Sequence, residues 1–276
     1  MELVDTHCHI HDPEFSEKMD KSPDEMISDA KQAGVTKLIC VGTAERSSEL
    51  AVDFSATRDS CWASLALHPH EVATYSDAEL DEQMRTLEKL AASSIDKVVA
   101  IGETGLDYYY HDDPDTHKRQ KRILKRHIEL ALSYDLPLIF HIRDPKTTNT
   151  TDLGTAFSDF LEVIAEYDQI RGVVHSFSAG IKALDACLDK GLYIGLNGIM
   201  TFTKDQNQLD AAKKVPKSRL LLETDSPFLT PKPFRGIMCE PKHERVTAEF
   251  LSDLRDDSLE ELAKATTINA NKLFGI

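Results

Sequence analysis

The segment VDTHCHIHD, residues 4–12, sets His7, His9 and His11 at every second position between Asp5 and Asp12. Side chains of an extended chain alternate with period two, so imidazoles at this spacing can face one way while Cys8 turns the other. Further candidate ligands directly follow short apolar runs: Glu103 after KVVAIG, His141 after PLIF, His175 after GVV, and Asp225 at the end of RLLLETD. A single His or Glu in such a place is more often a capped or solvated polar residue. Four imidazoles and two carboxylates packed together are different, because burying them is costly unless a cation compensates. His7, His9, Glu103, His141, His175 and Asp225 therefore read as ligands of divalent metal. Carboxylates can bridge, and six donors are enough for two ions spaced by roughly 3.5–4 Å. Mixed imidazole and carboxylate donors suit Zn, Mn, Fe or Co, and leave Mg possible where water completes the shell. His11 falls outside this set, because Asp12-Pro13 stops the strand.

The elements that must position these residues follow from the pattern of apolar runs. Strand-like stretches are Leu3-Val4, TKLICVG ending at Gly42, CWASLAL before His68, KVVAIG, PLIF, GVV, YIGLNG around Gly195, and RLLLETD. Between them lie amphipathic stretches near 46–57, 78–93, 115–134, 155–167, 180–190 and 205–214. Ahead of these, Ser22 caps a helix with Pro23 in its first turn, Glu25 completes a capping box and Gly34 ends it. Eight strand–helix units without a linker predict one domain over residues 1–276, an α/β protein folded as a (β/α)8 TIM barrel. Helices near 243–254 and 258–273 complete the ring and add one at the C-terminus. With residues 2–6 as the first strand, all six candidate ligands emerge at C-terminal strand ends, the face where barrels of this kind place active sites.

Composition narrows the partners. The chain has 276 residues and a formal net charge of −15, which argues against general affinity for duplex nucleic acid, where Lys and Arg must replace counterions. Part of the acid lies in EPKHERVTAEFLSDLRDDSLEEL (240–262), a solvated helix face. KRQKRILKRH (118–127) is basic, but Ile123, Leu124 and Ile128 mark its buried side, so the charges form the outer face of a helix. Five cysteines are scattered without a CxxC pair, which predicts reduced thiols. No basic-plus-apolar leader and no run of about 18 apolar residues is present, so a cytoplasmic protein without membrane association is expected.

DTHCHI, ALHPHE, GETGLDYYY, FHIRD, VVHSFSAG, GLNGIMTF and LLLETDSPFLTP occur in the order and spacing of the TatD metal-dependent deoxyribonucleases, within the amidohydrolase-like barrels, and the chain resembles that family from Val4 to the final NKLFGI. The resemblance implies His7, His9, Glu103 and Asp225 on one divalent ion, and Glu103, His141 and His175 on a second. Glu103 and Asp225 would be catalytic, Glu103 as the bridge and Asp225 by orienting or deprotonating the attacking water. The implied reaction is hydrolysis of DNA phosphodiesters, often 3′-to-5′, on DNA ends or single strands, by a protein for which a monomer is plausible. His68 and His70 in LHPH are placed to touch a phosphate or brace their loop. Arg143 shares the strand face of His141 and can clamp a phosphate bidentately. Tyr108, with Tyr109 and Tyr110, lies where an aromatic can stack on a base, and Arg235 belongs to the last loop. There the chain departs from the family pattern, with Cys239-Glu240 before Pro241. Two other classes fit the same ligands: a hydrolase of amides, esters or lactones, and a non-catalytic metal-binding or scaffold protein. Relatives acting on amides often bridge their metals with a carbamylated lysine, where this chain has Glu103.

Overall fold

A computed structural model describes residues 1–94 and 96–276. In chain order the elements are β1 (Leu3–Cys8), α1 (Pro13–Met19), α2 (Pro23–Gln32), β2 (Val35–Val41), α3 (Glu45–Ala56), β3 (Cys61–Leu65), α4 (Pro69–Thr74), α5 (Asp77–Ser93), β4 (Val98–Asp107), α6 (Pro114–Ser133), β5 (Leu138–Arg143), α7 (Thr155–Ile164), β6 (Gly172–Val174), α8 (Ile181–Asp189), β7 (Tyr193–Leu196), α9 (Gln206–Lys214), β8 (Leu220–Leu222), α10 (Glu244–Arg255) and α11 (Leu259–Phe274). The eight strands pair in parallel in sequence order. β8 meets β1 where Asp225 N donates to His7 O at 2.8 Å and His9 N donates to Ser226 O at 2.8 Å, so the sheet closes into the expected (β/α)8 barrel with α11 as the extra helix.

Alternation along each strand divides the apolar residues into two layers. Leu3, Leu38, Cys40 and Ile101 pack outward with helix residues such as Met26, Ala51, Leu124 and Phe160. Val4, Ile39, Val41, Val99, Ile139, Val173 and Leu221 form a separate inner cluster, joined by Ala270, Leu273 and Phe274 of α11. Among the described residues the inner layer carries none from the ring of α2–α10, so it is the barrel interior, stoppered by α11. The opposite end is left for chemistry.

Local sequence accounts for most element boundaries. Ser22 and Glu25 make a reciprocal capping box on α2, and Gly34 turns the chain out with φ 95°. Two short helices escape the periodicity argument, α1 and α4, because six or seven residues hold too few repeats of a 3.6-residue pattern. Asp12 caps α1 by accepting from Glu14 N. His68 caps α4 by accepting from His70 N. β1 ends two residues later than expected, at Cys8, with a register irregularity between Asp5 and Cys8. Among the described residues no helix is long and apolar enough to cross a membrane.

Candidate metal centre

The six predicted ligands meet at the C-terminal strand ends. His7 is wholly buried near the end of β1, and His9 is the first residue beyond that strand. Their Nε2 atoms lie 3.3 Å apart, while Cys8 between them packs in the outer layer. The Nε2 of His7 is 3.3 Å from Glu103 Oε2 and 3.7 Å from Asp225 Oδ1, and the Nε2 of His9 is 3.4 Å from the same Asp225 oxygen. The barrel-closing hydrogen bonds between β1 and the β8 end fix this approach. Asp225 itself sits at φ 60°, a left-handed conformation that costs a non-glycine residue of order 1 kcal/mol or more and is typical of functional positions.

Hydrogen-bond partners set the tautomers. His9 Nδ1 is 2.8 Å from Val41 O; a carbonyl can only accept, so the proton is on Nδ1 and the bare Nε2 lone pair faces His7. His141 points its Nε2 at Asp107 Oδ2, 3.0 Å away, and its Nδ1 at Glu103 Oε1, 2.6 Å away. His175 lies with Nε2 3.7 Å from Glu103 Oε1 and 3.9 Å from Asp225 Oδ1. Its Nδ1 is 2.9 Å from Glu223 Oε1 but off the N–H axis, an ion-pair contact that leaves Nδ1 without a proper hydrogen bond. The ring of His175 stacks on that of His7 at 3.5 Å between centroids.

These donors fit a divalent cation. Lone pairs and carboxylate oxygens converge at separations of 3.3–3.7 Å, close to the edge of a tetrahedron built on metal–ligand bonds of about 2.0–2.1 Å. Both oxygens of Glu103 are engaged, one toward each half of the cluster. The field of the pocket favours positive charge. Burial opposes a proton on His141, yet Asp107 and Glu103 hold its pKa up to about 9. Burial likewise opposes one on His175, and Glu223 and Glu103 raise it to about 10. Glu103 stays well below the usual carboxylate range although burial works against its charge, because His68, His175 and His7 surround it.

The expected substrate contacts divide. His68 is not on the rim: its Nε2 is 3.4 Å from Glu103 Oε1, and because Nδ1 accepts from His70 N at 3.1 Å, Nε2 carries the proton and acts as a donor. His70 is half-exposed and backed by Asp107 Oδ2 at 3.1 Å. Arg143 lies exposed at the mouth, its guanidinium 3.9 Å from the Tyr109 ring centre. The expectation for Tyr108 is corrected. It is 1 % exposed, donates its hydroxyl to Asp159 at 2.7 Å and stacks on His117 at 3.4 Å, so it packs beneath the loop. Of the three tyrosines the exposed ring is that of Tyr110, at 55 %. Arg235 donates to Thr230 O at 2.8 Å and covers Phe202 at 4.0 Å, bracing its own loop. The atypical Cys239 and Glu240 are buried, with Glu240 paired to Lys21 and Lys242.

Two supporting carboxylates lie outside the sequence-derived set, Asp107 behind His141 and Glu223 behind His175. A ligating imidazole commonly hands its second nitrogen to such a carboxylate, which fixes ring orientation and raises basicity. Parity was the available signal. Asp107 is four residues from Glu103 on β4, and Glu223 is two from Asp225. Gly195 makes room for Glu223, since a Cβ there would collide with its carboxylate.

A closed parallel barrel with histidines and carboxylates gathered at its strand ends, two of the histidines backed by further carboxylates, defines a metal-dependent hydrolase. The comparisons with known proteins make the class more particular. The chain belongs to the TatD family: the family described as TatD related DNase matches residues 4–275. The uncharacterized metal-dependent hydrolase YcfH of Escherichia coli K12 is 35 % identical over 278 residues, covering 100 % of this chain and 97 % of its own. YabD of Bacillus subtilis strain 168, with the same description, is 32 % identical over 276 residues and covers 99 % of each. Among solved structures, the TatD homologue YjjV of E. coli K12 superimposes with a TM-score of 0.85 at 28 % identity, covering 99 % of this chain and 98 % of its own.

Proposed function

We propose that the protein hydrolyses phosphodiester bonds of DNA, removing nucleotides from the 3′ end of single strands, with His7, His9, Glu103 and Asp225 around one divalent ion and Glu103, His141 and His175 around a second. One observation carries this reading: Glu103 turns Oε2 toward His7 and Oε1 toward His141, so a single carboxylate serves two donor groups. Bound divalent ions in such a centre lower the pKa of water and neutralise charge building on phosphate oxygens.

The chain's own groups do the rest. Asp225, held below its ordinary pKa by His9, His175 and His7 against the effect of burial, is ionised at neutral pH and takes the proton of the attacking water. The Nε2–H of His68 points into the site as a neutral donor, its pKa lowered to about 4 by burial, and hydrogen-bonds a phosphate oxygen. Asp107 accepts the Nε2–H of His141 and so leaves the Nδ1 lone pair free to ligate. Support for DNA comes from the family description and from the bridging carboxylate. The test is to strip the protein of metal, restore Mg, Mn or Zn in turn, and follow single-stranded DNA labelled at its 5′ end. A ladder shortening from the 3′ end with restored metal is expected; failure with every metal, or hydrolysis of amide or lactone substrates alone, overturns the reading.

A further inference from the structure

We infer that Tyr110, Arg143 and Lys146 form a strand-binding subsite beside the metal centre, in which the two cations hold a backbone phosphate and the open face of Tyr110 stacks on an adjoining base. The inference rests on the phosphodiesterase reading of the centre and names what presents the substrate to it. Arg143 ends β5, two residues after His141, in register with Asp107 of β4. Its guanidinium sits 3.9 Å from the ring centre of Tyr109 and 5.1 Å from that of Tyr110. The ammonium of Lys146 lies 4.6 and 5.9 Å from the same two rings. Both cations are exposed.

Arg143 differs from the other arginines. Among the described residues its guanidinium alone lacks both a carboxylate partner and a hydrogen bond, and its five donors are free in a geometry suited to phosphate. Arg219 and Arg235, the other two arginines without a carboxylate, donate to Gly191 O and Thr230 O. The platform is also pre-aligned on the centre. Asp107 Oδ1 accepts from Tyr109 N and Tyr110 N at 3.0 and 3.1 Å, while its Oδ2 binds His141. One carboxylate thus fixes both a ligand and the aromatic loop, so no ordering of the loop is needed on binding. In a protein of net charge −15, unpaired cations over an exposed aromatic mark the place where an anionic strand meets local attraction. Stacking on an aromatic face recognises any base, provided that it is unpaired.

The test uses the metal-loaded full chain and fluorescence anisotropy with two phosphorothioate-linked, fluorescein-labelled strands, one of eight thymidines and one of eight abasic residues. Tyr110→Ala is expected to weaken the thymidine strand by about 5- to 150-fold and to leave the abasic strand unaffected, while Tyr110→Phe binds as the parent does. Arg143→Gln and Lys146→Ala should weaken both strands and each flatten the plot of log affinity against log salt by about 0.7. Lys125→Ala on α6 should move nothing. Metal content and melting temperature confirm that each variant is folded and loaded. Equal losses on both strands for Tyr110→Ala, no loss on either, or an unchanged salt slope for Arg143→Gln overturns the subsite. The parent is assayed in parallel on bis(p-nitrophenyl) phosphate: no turnover there counts against the metal-centre reading, while the anisotropy separately decides the subsite.

Discussion

The outer face of α6 and the mouth of the barrel both gather cations, and they do opposite things with them. On α6, Lys118, Arg119, Lys121, Arg122, Lys125 and Arg126 each pair with a carboxylate at 2.7–3.4 Å. The partners are Asp115 on the same helix, Asp77 and Asp81 on α5, Asp159 on α7 and Glu166 just beyond it. At the mouth, Arg143 and Lys146 stand over tyrosine rings, and among the described residues no carboxylate pairs with either. The densest basic run of the sequence is therefore electrostatically spent, whereas an isolated Arg and Lys stay available to a ligand. Exposed ion pairs add little stability each, about 0–1 kcal/mol, so the α6 network neutralises charge more than it holds helices together. The lesson is that pairing in space, not basic density along the chain, decides where an anion can bind.

Predictions that test this contrast begin at the mouth. Asp225→Asn should lose roughly 100-fold or more in turnover while the remaining donors still retain metal, read by single-turnover kinetics beside elemental analysis. A variant that melts earlier yet cleaves at near the parent rate with excess metal would make Asp225 merely structural. Asp107→Ala removes the partner of His141 and the anchor of the tyrosine loop together, and should cost about 10- to 100-fold in metal affinity or activity. Titration calorimetry with Zn or Mn, and strand-binding anisotropy, should both register the change. If only stability moves, Asp107 does not link ligand and platform.

Metal affinity should also depend on pH. His141 and His175 hold protons up to about 9 and about 10, and ligation requires neutral imidazoles, so binding releases protons below those values. Affinity is expected to fall by about tenfold per pH unit for each proton displaced as pH drops from 9 to 7; a flat profile would mean that these imidazoles are not ligands. The smallest effect belongs to α6. Replacing Arg122 and Lys125 together by Ala should shift unfolding free energy by no more than about 1–2 kcal/mol, with strand affinity changed less than twofold, read by urea unfolding and anisotropy. A large loss of strand affinity would reverse the comparison.

What the sequence determined by itself was the barrel and the donors at its rim. Alternation of apolar runs with amphipathic stretches encodes strands buried on both faces, and the same period-two rule turns His7 and His9 inward and Cys8 outward. Glu103, His141, His175 and Asp225 are marked because each ends or directly follows an apolar run, and the Ser22–Glu25 cap is legible because it is local. Tertiary structure decided what no period encodes. Tyr108, Tyr109 and Tyr110 lie at and just beyond the end of β4, and only the packing of Tyr108 against His117 and Asp159 leaves Tyr110 as the ring that faces solvent. Asp107 and Glu223 gained their roles from imidazoles 34 and 48 residues away in sequence, and the cations of α6 lost theirs to acids on neighbouring helices. Chain periodicity fixes which way a residue faces; which partner it meets there depends on distances that only the closed barrel sets.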